Sequence, residues 1–147
     1  MRKADAYDAN YWSNNQNNHL YSAWSGLSFE MLCLNHVDQI KSALGISGIS
    51  ANVFSWAGKG YDRSAQIDML IDRADRTINL CEMRFHNKPY VMTINDEEDI
   101  ERKVDSFKEA TKTDKSIIVT MITTMGLDRN EHSEGIQKVI TLDQLFY

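Results

Sequence analysis

The chain has 147 residues, of which 42% are hydrophobic and 25% charged, the size and balance of one soluble domain able to bury a working core. A net charge of −5 argues against a chain that coats nucleic acid without selection, while leaving room for a local basic face. No apolar run approaches the about 20 residues that span a bilayer, and the opening Met1-Arg2-Lys3-Ala4-Asp5 lacks the apolar stretch of a signal peptide, so a cytoplasmic protein with no membrane contact is expected.

Residues 1–25 are aromatic and polar: Tyr7, Tyr11 and Trp12 precede the run Asn14-Asn15-Gln16-Asn17-Asn18, a composition that favours turns. They read as a connector ahead of a domain over 26–147, with rings that pack on that domain or on a partner. Ser28 suits the N-cap of a helix over 29–44, in which Phe29, Leu32, Cys33, Val37, Ile40 and Leu44 recur near helical spacing before Gly45 stops it. Residues 49–56 alternate as a strand does, and Ala57-Gly58-Lys59-Gly60-Tyr61-Asp62-Arg63 reads as a flexible loop. Gln66-Ile67-Asp68-Met69-Leu70-Ile71-Asp72 and Ile78-Asn79-Leu80-Cys81-Glu82-Met83-Arg84-Phe85 form the arms of a β-hairpin across the polar residues 73–77. After Pro89 a second helix is expected from about 96 to 110, with acids in its first turn and Ile100, Val104 and Phe107 on one side. Residues 116–123 are β-branched almost throughout and suit a strand covered on both faces, and a last short strand is expected over 139–142. Cys33 and Cys81 fall within apolar patterns rather than at metal-ligand spacing and read as buried, reduced thiols. The order helix, three strands, helix, strand gives an α/β domain with a mixed sheet flanked by helices.

A turn centred on Asp75 sets Asp72 opposite Ile78, Leu70 opposite Leu80, and Asp68 opposite Glu82. Opposed Cβ atoms lie roughly 5 Å apart, and like charges so placed are destabilising unless something neutralises them. A divalent cation would do so, since magnesium takes one or two carboxylates with water and phosphate completing its shell. Arg84, two residues past Glu82, shares its face in an unbulged strand. The same residues also fit a plainer arrangement, with Glu82 and Arg84 as a surface ion pair and Asp68 solvated. Glu30 in a first helical turn equally complements the helix dipole. Gln66 shares the face of Asp68 and would contact substrate or a backbone amide. His36 has no neighbouring His or Cys and reads as a hydrogen-bonded structural residue. Lys59, Arg63, Arg73, Arg76, Arg84, Lys88, Lys103 and Lys108 flank this region in sequence, either as a phosphate-tracking groove or as ordinary solvated charges.

A helix, a hairpin with Asp on one arm and a Glu-x-Arg triplet on the other, then a helix and a strand resembles the restriction-endonuclease-like, or PD-(D/E)XK, nuclease superfamily, with its α-β-β-β-α-β core. Trp24-Ser25-Gly26, Phe29-Glu30, His36, residues 66–73 and 78–82, Lys103 with Phe107, and Val139-Ile140-Thr141-Leu142-Asp143-Gln144-Leu145-Phe146 look like the C-terminal domain of a bacterial AAA-type ATPase family, over residues 11–147. Gly58-Lys59-Gly60 lacks the spacing and the Ser or Thr of a phosphate-binding loop, so ATP hydrolysis is not expected.

The resemblance implies a fold and a set of roles. Asp68 corresponds to the metal-binding aspartate, Glu82 to the second metal-binding carboxylate, Arg84 to the lysine position, and Glu30 to the acid on the first helix. It implies Mg2+ or Mn2+ as cofactor, DNA as substrate, and an ATPase or other protein as partner through the aromatic arm. Arg84 departs from the pattern: the family's lysine is commonly assigned to holding or activating water, whereas arginine is planar, always charged and a poor proton acceptor. Ile67 stands where the superfamily's name has proline. The expected function is metal-dependent hydrolysis of DNA phosphodiester bonds. The alternatives are a catalytically degenerate module that binds nucleic acid or an ATPase partner without cleavage, and an accessory fragment that docks onto an ATPase.

Overall fold

The first helix, α1, is described as His19–Leu34 and is followed by α2, Val37–Ala43. The structure is a computed structural model describing residues 19–58 and 65–146; the aromatic arm up to residue 18 and the glycine loop over 59–64, with Lys59 and Arg63, lie outside the described residues. Two expectations are corrected in this region. Ser28 lies inside α1, which takes in residues 19–25 as well, and does not cap it, and the helix expected over 29–44 is interrupted at Asn35 and His36. His36 holds the interruption: its Nδ1–H donates to the Leu32 carbonyl at 2.7 Å and its ring meets that of Phe146 edge-on. That contact makes it a structural histidine.

β1 (Ala51–Ala57), β2 (Gln66–Arg73) and β3 (Thr77–Arg84) follow, then β4 (Tyr90–Val91), α3 (Ile94–Thr111), β5 (Ser116–Thr123), β6 (Leu127–Asp128), β7 (Lys138–Thr141) and a 3-10 turn over Leu142–Phe146. The main sheet has five strands in the order β1-β2-β3-β5-β7. The first three are antiparallel, while β5 and β7 join parallel to β3, so this is a mixed α/β sheet. The hairpin closes as its polar residues dictate: the three-residue loop 74–76 places Arg76 at φ 63°, the left-handed end of a common hairpin connection. Lys115 then ties the turn down, bonding Asp72 and donating to the Arg73 carbonyl at 3.2 Å. β4 and β6 pair as a separate parallel ribbon of two residues each, too short to leave a period in the sequence.

α3 begins earlier than expected because Thr93 and Asp96 form a reciprocal capping box, satisfying two orphan amides of the first turn. The helix packs Phe107 and Ile100 onto one face of the sheet, against Ile67, Leu70, Ile78 and Leu80 for the first and Met92, Val119 and Met121 for the second. α1 and α2 cover the other face, burying Phe29, Cys33 and Ile40 against Met69, Ile71, Cys81 and Met83. Both cysteines are free and buried, and burial pushes the Cys33 thiol up to about 12 and that of Cys81 higher than its ordinary value. Asn79, 1% exposed in the sheet, is satisfied: it donates to Thr120 Oγ1 at 3.1 Å and accepts from Arg73 at 3.0 Å. No described helix is long and apolar enough to cross a membrane.

Candidate active site

The candidate site lies where the β2–β3 ladder ends. Asp72↔Ile78 and Leu70↔Leu80 pair as the hairpin arithmetic requires, but the last rung is Met69↔Cys81. Asp68 and Glu82 are the next residues beyond it. On the other side of β2, Phe54 pairs with Leu70 and Trp56 with Ile67, so Ser55 faces both Asp68 and Met69. That is a β-bulge in β2, of the kind that re-aims side chains. It returns Ile67 to the face of Leu70, where both pack with Phe107, and takes Asp68 out of the simple alternation. The expected direct opposition of Asp68 and Glu82 is therefore corrected: it is not a rung of the sheet, because the bulge shifts the phase of β2 just where pairing stops.

β3 itself runs unbulged along β5 as far as Arg84↔Thr123, so Glu82 and Arg84 share a face. Arg84 Nη1 lies 3.0 Å from Glu82 Oε1. This is no surface ion pair, since Glu82 is only 3% exposed. A buried carboxylate needs charge-assisted partners on its lone pairs, and a second cation supplies them. Lys103, one turn before Phe107 on α3, donates from Nζ to Oε2 at 3.1 Å and to Oε1 at 3.3 Å. The charge that sequence arithmetic left for a divalent cation to neutralise is met, in this structure, by Lys103 and Arg84.

Arg84 is fixed from several sides. It donates to the Met83 carbonyl at 3.1 Å, and its guanidinium carbon lies 5.9 Å from the centre of the Tyr90 ring, within cation–π range. Tyr90 in turn donates from its hydroxyl to Asp96 at 3.0 Å. Burial disfavours the Arg84 charge, but Glu82, Tyr90 and Asp96 outweigh it and raise the guanidinium above its ordinary value. The β3 strand, the small ribbon and the capped end of α3 are thus joined through one arginine.

Asp68 accepts from Gln66 Nε2 at 3.0 Å, which places the two side chains together as their spacing suggests. Glu30, on α1, is shifted up, first by burial and next by the charge of Asp68; Glu82 adds to the rise while Arg84 and Lys103 oppose it. A carboxyl raised on folding binds its proton more tightly in the folded than in the unfolded chain, so the stability it contributes falls as pH climbs through its folded value. Glu30→Gln should accordingly be more stable than wild type at about pH 7, on the order of a few tenths of a kcal/mol because the group is largely solvated, with the difference vanishing near pH 4. Urea titrations at the two pH values check it; a variant less stable at neutral pH would show that Glu30 is held by attraction instead.

Sequence reasoning names Lys103 only among the flanking basic residues and the matched motifs, never as a partner of Glu82, and leaves Tyr90 out. The spacing Ile100, Lys103, Val104, Phe107 puts Lys103 beside the buried stripe of its helix, a signal present in the sequence, whereas the Tyr90 stack depends on a ribbon that no local pattern announces. Arg73 and Arg76 are engaged by Asp75 and Asp114, so neither is a free charge beside the hairpin turn. Among the described residues, no group of three or more His, Cys, Asp or Glu is arranged to hold a metal ion. Asp68 and Glu82 carry carboxylate oxygens of the hard kind that magnesium takes from protein, one or two at a time, with water and phosphate completing its shell.

No protein-family model matches the chain, and no match was found among curated proteins. Among solved structures it is similar to the crystal structure of a protein of unknown function, AF1548, with a TM-score of 0.50 and 12% identity. The match covers 78% of this chain and 64% of that one. At that identity the likeness bears on fold alone, and it agrees with the α/β architecture.

Proposed function

We propose that this chain is a divalent-metal-dependent nuclease domain of the restriction-endonuclease-like, PD-(D/E)XK type, acting on DNA phosphodiester bonds. The observation that carries the reading is the buried Glu82 carboxylate, bound by Arg84 and Lys103 just past the last rung of the hairpin ladder, where Asp68 is the next residue of the neighbouring strand. Asp68 and Glu82 would hold Mg2+ or Mn2+, which supplies an activated water and charge compensation to the phosphate. Gln66 orients Asp68, and Arg84 holds Glu82 in place while donating toward phosphate. Glu30 adds negative charge that favours a bound cation. The outer face of α3 presents Glu98, Glu101, Asp105 and Glu109, which repels a phosphate backbone, so DNA approaches from the hairpin end.

Incubated with supercoiled plasmid and Mg2+ or Mn2+, the wild-type chain should nick or linearise DNA. Asp68→Asn should lower the rate by more than about 100-fold, beyond the loss typical of an outer-shell partner. A folded wild-type protein that cuts neither plasmid nor single strands with either metal would overturn the reading.

A second reading is a degenerate module that binds nucleic acid or an ATPase partner without cutting. It is favoured by Arg84 at the lysine position and by the full engagement of Glu82 with cations. Leu27, Met31 and Leu34 on the outer side of α1 are 61%, 53% and 42% exposed, an apolar stripe suited to a protein partner. A cytoplasmic setting belongs to both readings.

A further inference from the structure

The two edges of the main sheet are finished differently. At one end β7 is four residues long, opens on Lys138 and gives its Thr141 amide to the Gln144 side chain at 2.8 Å, features that blunt an edge against pairing. At the other end β1 runs for seven residues, Ala51-Asn52-Val53-Phe54-Ser55-Trp56-Ala57, with no charged residue and no proline. The ladder shows which of its amides face outward. The Ser50 carbonyl accepts from the Ala74 amide just before the strand, and the Gly58 amide donates to the Ala65 carbonyl just after it. Alternation from both ends therefore turns the even-numbered residues toward β2 and the backbone groups of Ala51, Val53, Ser55 and Ala57 away from it. Among the described residues, no backbone group bonds to those four outward positions. The side chains of the strand are open as well: residues 52–55 and 57 are exposed. Val53, opposite Ile71 on the α1 side, and Phe54, opposite Leu70 on the α3 side, are each 38% exposed, so the middle of the strand stands clear of both helical layers.

We propose that β1 is the interface of a homodimer, in which a second copy of this chain pairs antiparallel along the same edge and continues the sheet. The strand is its own complement. With a two-fold axis at Phe54, Ala51 opposes Ala57 and Val53 opposes Ser55, so that outward groups meet outward groups as hydrogen-bonded pairs. Phe54 then meets Phe54, and Asn52 meets Trp56, as the closer pairs without backbone bonds, where aromatic side chains interact best across strands. A second copy is the occupant that this edge fits, because an uncharged strand gives a basic or acidic segment nothing to pair with and a two-fold contact satisfies both copies at once. The blunted β7 edge then leaves no site for further growth. A strand of seven residues is only about 23 Å long, which puts the contact at the small end of protein interfaces, below roughly 1,200 Å2, so the dimer is a reversible one. No candidate site residue lies on β1, and the inference stands apart from the nuclease reading.

Sedimentation of the intact chain tests it. Between about 1 μM and about 1 mM, the span of Kd values for weak association, the weight-average mass should climb from monomer toward dimer and no further. Val53→Pro removes an outward amide and no bond of the β1–β2 ladder; losing that donor from each copy should weaken the dimer by about tenfold or more, with the circular dichroism of the monomer unchanged. Phe54→Lys and Phe54→Glu should each stay monomeric over the same range, since the axis sets like charges opposite one another. An equimolar mixture of the two should pair by about tenfold or more tighter than either variant pairs with itself, a recovery that a general loss of packing does not produce. A wild-type chain that is monomeric throughout would overturn the proposal. So would a dimer that Val53→Pro leaves intact, which would place the contact on another surface, or a mixture of the charge variants that stays monomeric.

Discussion

Phe107→Ala should be the most destabilising single truncation in the sheet-facing side of α3, costing about 3–5 kcal/mol, the range for removing a buried phenylalanine. Phe107 is 2% exposed. It fills the space between Ile67, Leu70, Ile78 and Leu80 and meets the Trp56 ring in a T-shaped contact at 5.6 Å between centroids. Its buried neighbours Ile67, Leu70, Ile78 and Leu80 sit on β2 and β3, whose backbones are held in the sheet and close little of the cavity. Urea denaturation should show a lower midpoint with an unchanged slope, and Phe107→Leu should recover most of the loss. A cost below about 1.5 kcal/mol, typical of well-tolerated swaps, would mean that α3 is not seated on the sheet as described. The consequence reaches the site, since α3 carries Lys103 four residues earlier.

Glu82→Met is expected to have the second-largest effect. Removing one partner of a fully buried ion pair costs about 3–5 kcal/mol because it leaves an uncompensated charge. Here the orphaned side chains retain partial exposure, 24% for Arg84 and 15% for Lys103, so about 2–3 kcal/mol is the expected loss. For a chain of this length that corresponds to a fall in Tm of roughly 4–12 °C. Adding Lys103→Met to the same chain should restore more than half of it, because an apolar pair of similar volume replaces a charge left without its counter-ion. Calorimetry of the two single variants and the double variant measures the coupling. Strictly additive losses would show that Lys103 and Glu82 do not depend on one another, contrary to the geometry at the site.

The parts of this fold that were legible in the sequence are those governed by neighbours in the chain. The hairpin register is one: a polar loop between two apolar runs sets Leu70 against Leu80. The strand Ser116–Thr123 is another, with its β-branched run following Asp114 and Lys115. The capping box of α3 was equally local, since Thr93 and Asp96 have the required spacing, yet helical periodicity alone placed the start of the helix too late. What escaped was set from a distance. The bulge at Asp68 is fixed by Trp56 and Ile67 packing together on Phe107, and no alternation within β2 reveals it. The neutralisation of Glu82 depends on Lys103, 21 positions away, which becomes its partner only once α3 has crossed the sheet. The interruption of the first helix depends on His36 bonding back to Leu32 and on Phe146 from the far end of the chain. Candidate acids could thus be named from sequence, while the manner of their assembly could not.

One physical consequence joins the fold to the proposed chemistry. Glu82 is buried and clasped by two cations, one braced by an aromatic ring and the backbone, the other held by carboxylates. On the proposed reading a metal would have to compete with these two cations for Glu82. The direct test is a crystal grown with Mn2+ and examined for anomalous scattering at the end of the β2–β3 ladder. The account predicts a peak within about 2.0–2.3 Å of carboxylate oxygens from both Asp68 and Glu82. A lattice with saturating Mn2+ and no peak there, with Lys103 and Arg84 still bound to Glu82, would contradict it.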